Sequence, residues 1–143
     1  MPKKLKIKNL FKKIDLPLGK YVIFGSGPMG IRGLRKCYDL DILVTEDIFN
    51  EYKNKSDWEY KEFERDGRHV EMIEKDNIEL YKTWGPGEWN EDELIKTSEI
   101  IDGLPFVRLE YVIKWKKISG REKDLNDIKI IEGYIKSKKQ SHS

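Results

Sequence analysis

The sequence predicts an α/β (α+β) domain in which a small mixed β-sheet is flanked by helices and closed by a C-terminal helical pair. Three observations predict it. Apolar, strand-length runs bounded by glycines or turn residues occupy residues 20–83. Two successive hairpin signals within that stretch make neighbouring strands antiparallel. From about residue 90 to 136 the apolar spacing is largely helical.

In chain order, Ile7, Leu10, Phe11 and Ile14 fall at helical spacing and Pro17 ends the run, so residues 6–14 read as a short amphipathic helix. Tyr21 to Phe24 is an apolar run next to glycines and reads as a buried strand. A brief basic segment, Ile31 to Lys36, is interrupted by Gly33. Asp39 to Val44 alternates and then becomes continuously apolar, as a central strand does. Thr45 followed by Glu46 and Asp47 is a helix start for a segment ending at Lys53.

Strand-like runs then span Trp58 to Glu64, Arg68 to Ile73 and Asn77 to Lys82. Asp66-Gly67 is a strong turn signal between the first two, and Lys75-Asp76 beside Asn77 separates the second pair. Trp84 and Trp89 bracket Gly85-Pro86-Gly87, a turn that two indoles would pin to the core. Helical segments follow at Asp92 to Thr97, Leu109 to Ile118 and Glu122 to Ile135, with a break at Ser119-Gly120. No repeat, low-complexity tract or linker interrupts the chain, so residues 1–143 are expected to form one domain.

A chain of 143 residues buries about 70% of its unfolded surface, enough for a core. Its 28 basic and 26 acidic residues leave a net charge of +2, which argues neither for nor against a polyanionic partner. Cys37 is the only cysteine, which excludes an intrachain disulfide and a multi-cysteine zinc site. With neither a long apolar span nor an apolar signal core, the expectation is a cytoplasmic protein without a membrane partner.

The stretch from Tyr21 to Gly30 contains a literal G-x-G-x-x-G after a strand. A dinucleotide-binding turn needs a long packed helix next, and an acid about twenty residues on. Glu46 could serve as the acid, but the short basic segment offers little apolar face, and hairpins replace repeated strand–helix units. Asp39 and Asp41 are two apart in a strand and project from one face. Like charges beside a buried strand need neutralising, and a pair of divalent cations would do so. Magnesium takes one or two carboxylates together with substrate phosphate oxygens. Gly25-Ser26-Gly27 lets backbone N–H groups approach an anion, and a helix starting near Pro28 would add its positive end.

The run Phe24-Gly25-Ser26, twelve residues, then Asp39-Leu40-Asp41-Ile42 resembles the signature of the nucleotidyltransferase superfamily that includes DNA polymerase beta. With Gly120-Arg121-Glu122-Lys123-Asp124-Leu125-Asn126-Asp127-Ile128, the wider pattern resembles small stand-alone prokaryotic nucleotidyltransferase-like proteins, from about Tyr21 to Ile135. The resemblance implies a sheet of the nucleotidyltransferase type and transfer of a nucleotidyl group from a nucleoside triphosphate to a hydroxyl acceptor, with release of pyrophosphate. It implies that Gly25 and Ser26 hold the triphosphate and that Asp39 and Asp41 bind two Mg2+ ions. A third catalytic and metal-binding carboxylate is implied on a neighbouring strand, for which Glu79 is favoured over Glu71. Arg32, Arg35 and Lys36 could neutralise charge on the leaving phosphates. Lys123, Asp124 and Asp127 are explained by capping and helix pairing at the start of the last helix. Two other readings stay open: an inert nucleotide-binding module, as in a toxin–antitoxin-like pair, and a dinucleotide-binding oxidoreductase fragment. The acceptor, whether small molecule, RNA or protein, is not identified by these residues.

Overall fold

The computed structural model describes Asn9, Lys12 and residues 15–141. The helix expected over 6–14 lies outside the described residues apart from Asn9 and Lys12. Seven strands are present: β1 (Tyr21–Phe24), β2 (Leu40–Val44), β3 (Glu59–Arg65), β4 (Arg68–Lys75), β5 (Ile78–Tyr81), β6 (Glu99–Ile101) and β7 (Leu104–Phe106). The helices are α1 (Gly27–Gly30), α2 (Glu46–Lys53), α3 (Glu91–Lys96), α4 (Leu109–Ser119) and α5 (Glu122–Ser141). The strands form a seven-stranded mixed sheet in the order β3-β4-β5-β2-β1-β7-β6. None of the described helices is long and apolar enough to cross a membrane.

Local chemistry explains the hairpins. Asp66 (φ 51°) and Gly67 (φ 75°), then Asp76 (φ 48°) and Asn77 (φ 69°), take the left-handed conformations of tight two-residue turns. They join β3 to β4 and β4 to β5 in antiparallel register. β5 then lies parallel to β2, with Asp41 opposite Glu79 and Leu43 opposite Tyr81. β2 runs antiparallel to β1, so Phe24 stands opposite Asp41.

Alternation along the central strands divides the core between the two faces of the sheet. On one face Tyr21, Ile23, Leu40 and Ile42 pack with Ile48 and Phe49 of α2. On the other, Val22, Phe24, Leu43 and Tyr81 pack with Val112 of α4 and Ile131 of α5. Full burial of each such aliphatic or aromatic side chain is worth about 1.5–3 kcal/mol. The paired tryptophans behave as turn anchors: Trp84 stacks on Phe24 at 4.2 Å between ring centroids, and Trp89 Nε1 donates to the Pro86 carbonyl at 3.0 Å.

Three features depart from the sequence reading. The hairpin β6–β7, turned at Asp102 (φ 52°) and Gly103 (φ 81°), was not expected. Its strands have three residues each, too few to show alternation, and Pro105 within β7 weakens the strand signal. The helix after the glycine loop is one turn of four residues, too short to bring a helix dipole to an anion. Asp39 precedes β2 rather than opening it.

Candidate functional site

β1 ends in the glycine loop because two close approaches leave no room for side chains. A Cβ on Gly25, whose φ is +61°, would lie 2.3 Å from Asp41 Oδ2. A Cβ on Gly27 would lie 2.4 Å from Ile23 Cγ2. Gly25 therefore lets the Asp41 carboxylate rest against the loop backbone, while Gly27 lets α1 turn back over β1. The neighbouring Ser26 Oγ donates to Cys37 Sγ at 3.4 Å, and Cys37 donates in turn to the Asp39 carbonyl at 3.2 Å. This chain of contacts ties the loop to the entrance of β2.

Parallel register places Glu79 beside Asp41 on the face covered by α4 and α5. Burial first, then the charge and hydrogen bond of Glu79 and the charge of Asp39, push the Asp41 carboxyl up to about 8, against a smaller lowering by Arg65. Asp39 is also raised, by burial and then by Glu79. The three carboxylates thus repel one another. Tyr81 Oη donates to Glu79 Oε1 at 2.6 Å, which fixes the Glu79 side chain; burial and that bond raise the Tyr81 phenol above its ordinary value. Among the described residues, no group of three or more His, Cys, Asp or Glu side chains is placed to hold a metal ion. Asp41 and Glu79 form a pair, joined by a hydrogen bond and standing in register on adjoining strands.

A cavity of about 450 Å³ opens between the glycine loop and the α4–α5 pair. Gly25, Ser26 and Asp41 line one part of it, and Arg35, Lys36, Lys116, Arg121 and Lys123 supply positive charge. A buried network orders part of that basic wall. Asp127 accepts from Arg35 Nε at 2.7 Å and from Lys116 Nζ at 3.0 Å. Asp124 accepts from Arg121 Nε at 2.8 Å, and Lys116 Nζ lies 3.7 Å from its other oxygen. Burial alone would raise Asp124, but the hydrogen bonds and charge of Arg121 and the charge of Lys116 outweigh it and hold this carboxyl below its ordinary value. Asp39 and Glu79 border a separate, acidic cavity of about 460 Å³ with Glu59 and Glu74.

Gly25, Ser26, Asp41, Arg35 and Lys36 are therefore brought to one cavity, with Glu79 and Asp39 next to Asp41. Two residues are placed elsewhere. Arg32 donates to Glu99 Oε1 at 2.6 Å and to the Pro28 carbonyl, facing β6 and not the basic cavity. Glu71 accepts from Tyr60 Oη at 2.7 Å and pairs with Lys82 at 2.9 Å, while its neighbours Val70 and Met72 join the core on Asp41's face. Alternation thus turns Glu71 away from Asp41. Lys116, Arg121 and Tyr81 were not singled out in the sequence. Tyr81 was findable, two residues beyond Glu79 on the same strand face; nothing local marks Lys116, whose partners lie on the next helix. Asp124 and Asp127, read as capping and helix-pairing residues, do both while buried: Asp124 accepts from the Arg121 backbone N–H at 3.2 Å, and both acids pair with Lys116 of α4.

The antiparallel pairing of β1 with β2 differs from the parallel pairing that a dinucleotide-binding turn connects. Comparison with protein-family models, with curated proteins and with solved structures yields no match to the chain.

Proposed function

We propose that this protein is a magnesium-dependent nucleotidyltransferase of the polymerase-beta type, moving a nucleoside monophosphate from a triphosphate to a hydroxyl acceptor. One observation carries the reading. Asp41 and Glu79 stand in register on adjoining strands, and the Asp41 carboxylate rests on Gly25 at the edge of a cavity with a basic wall. Mutually repelling carboxylates beside a basic cavity of about 450 Å³ are the donor set expected around a nucleotide and its cations.

Asp41 and Glu79 would hold the cations, and such a pair suits magnesium, which takes one or two carboxylates and completes its shell with phosphate oxygens. Bound there, magnesium would supply charge stabilisation to the attacking and leaving oxygens. Ser26 and the backbone N–H groups of the glycine loop would hold the phosphates, and Lys36, Lys123 and Arg121 would neutralise the departing pyrophosphate. In the reaction the acceptor oxygen bonds to the α-phosphorus, the bond to the bridging oxygen breaks, and pyrophosphate leaves. Glu79, which accepts from Tyr81 Oη at 2.6 Å, would take the hydroxyl proton.

A second reading, a nucleotide-binding module without turnover, draws support from Asp127, which already neutralises Arg35 and Lys116. Calorimetric titration with non-hydrolysable triphosphate analogues, with and without magnesium, tests both. Metal-dependent binding that falls at least about tenfold in Asp41→Asn is expected; binding unchanged in that variant sinks the assignment. Pyrophosphate release then separates an enzyme from a module.

A further inference from the structure

A second, smaller cavity of about 90 Å³ borders the first at Asp41 and Trp115, between β4, β5 and the loop at Trp84-Gly85. Apart from Asp41, its polar lining is rich in donors. Arg68 Nε and Trp84 Nε1 are buried and have no hydrogen-bond acceptor among the described residues. Trp84 is only 8% exposed, and its indole is held by stacking on Phe24. Arg68 is pressed against the loop backbone, since a Cβ on Gly85 would lie 2.3 Å from its guanidinium carbon. Arg65 also lines the cavity. Among the described residues neither arginine forms an ion pair. Buried donors without acceptors are rare in folded proteins, and two positioned guanidinium groups match the fork of a carboxylate or phosphate.

We propose that this cavity binds a small oxyanion, the phosphate or carboxylate group of the acceptor that receives the nucleotide. The acceptor assignment rests on the nucleotidyltransferase reading; oxyanion binding does not. An in-line displacement needs the acceptor and the leaving pyrophosphate on opposite sides of the phosphorus. Two cavities adjoin at Asp41, and in this assignment the basic one takes the triphosphate and the smaller one the acceptor's charged group. Its volume suits one anionic group and excludes a second nucleoside.

The test is calorimetric titration of the full chain with inorganic phosphate and with acetate at constant ionic strength, without nucleotide or metal. Saturable binding of at least one probe is expected, weakened about tenfold or more in both Arg68→Gln and Arg65→Gln. Phosphate alone would identify a phosphorylated acceptor, acetate alone a carboxylate. Arg65 is exposed, so Arg65→Gln retains the fold even where Arg68→Gln loosens the loop, and thermal unfolding checks both. Absence of saturable binding by either probe overturns the proposal. So does binding kept in both arginine variants and lost in Lys36→Gln, which would place the anion in the basic cavity. The two readings fail separately: oxyanion binding without magnesium-dependent triphosphate binding removes the nucleotidyltransferase reading, and the converse removes only the oxyanion site.

Discussion

Asp41 is placed where an isolated carboxylate is least stable. It is enclosed by the sheet and α4, lies against Gly25, and faces Glu79. Its carboxyl is raised to about 8 from 3.8, so between those values the native state holds a proton that the unfolded chain has released. Stability from this group is therefore greatest in acid and declines as pH rises toward about 8. Asp41→Asn is expected to raise the melting temperature in a chelating buffer at about pH 9 and to have little effect at about pH 5. A gain in stability coupled to a loss of ligand affinity is the mark of a residue kept for function. A melting temperature lowered at about pH 9 would instead show that the carboxylate supports the fold. Gly25→Ala works oppositely: its left-handed backbone alone costs about 1–2 kcal/mol, and the new methyl displaces Asp41. Chemical denaturation should register the loss, with triphosphate binding falling alongside it.

At the scale of elements, α4 and α5 are locked together by charges taken out of water. Lys116, Asp124 and Asp127 are all buried, so removing one partner strands another. Asp127→Ala is expected to destabilise by about 1–3 kcal/mol in urea unfolding, because Lys116 loses its 3.0 Å hydrogen bond and keeps only the Asp124 carboxylate at 3.7 Å. A loss below about 1 kcal/mol would mean that the network is solvated. The depressed Asp124 carboxyl contributes stability that is complete above its ordinary 3.8 and is lost as pH falls below it. A local comparison is available at α3, where the Asn90 side chain accepts from the Glu93 N–H at 3.1 Å. Asn90→Ala should cost about 1 kcal/mol and leave triphosphate binding unchanged. Legibility follows the same division between local and distant contacts. The β3–β4–β5 hairpins were readable because Asp66-Gly67 and Asp76-Asn77 carry their own backbone preference. β6 and β7 were not, because three-residue strands are stabilised mainly by what they pair with.

Across the whole molecule, the centre of the sheet is buried and its β3 edge is polar, while the short β6 edge exposes Ile100. β1 is buried along its full length, whereas β3 is largely exposed and carries Glu59, Lys61, Glu62, Glu64 and Arg65. A charged edge such as β3 opposes pairing with a second chain. Amide exchange should therefore be slowest in β1 and β2 and fastest among the strands at β3; equal protection would show that β3 is covered in solution. The strand–turn–strand units, the helical C-terminal third and the glycine loop were all legible in the sequence, whereas the shared face expected of Asp39 and Asp41 was not met, because Asp39 lies outside β2. Each legible feature follows from spacing of a few residues, where backbone preference and side-chain period act without help. Tertiary structure decided which acid joins Asp41, because Glu79 and Glu71 have equivalent apolar neighbours in sequence, and only the parallel β2–β5 register distinguishes them. It also turned Arg32 toward Glu99, buried Lys116 with Asp127, and gathered Arg65, Arg68 and Trp84 around one small cavity. Those contacts join residues far apart in the chain, so they arise only once packing of the two faces has fixed the strand order.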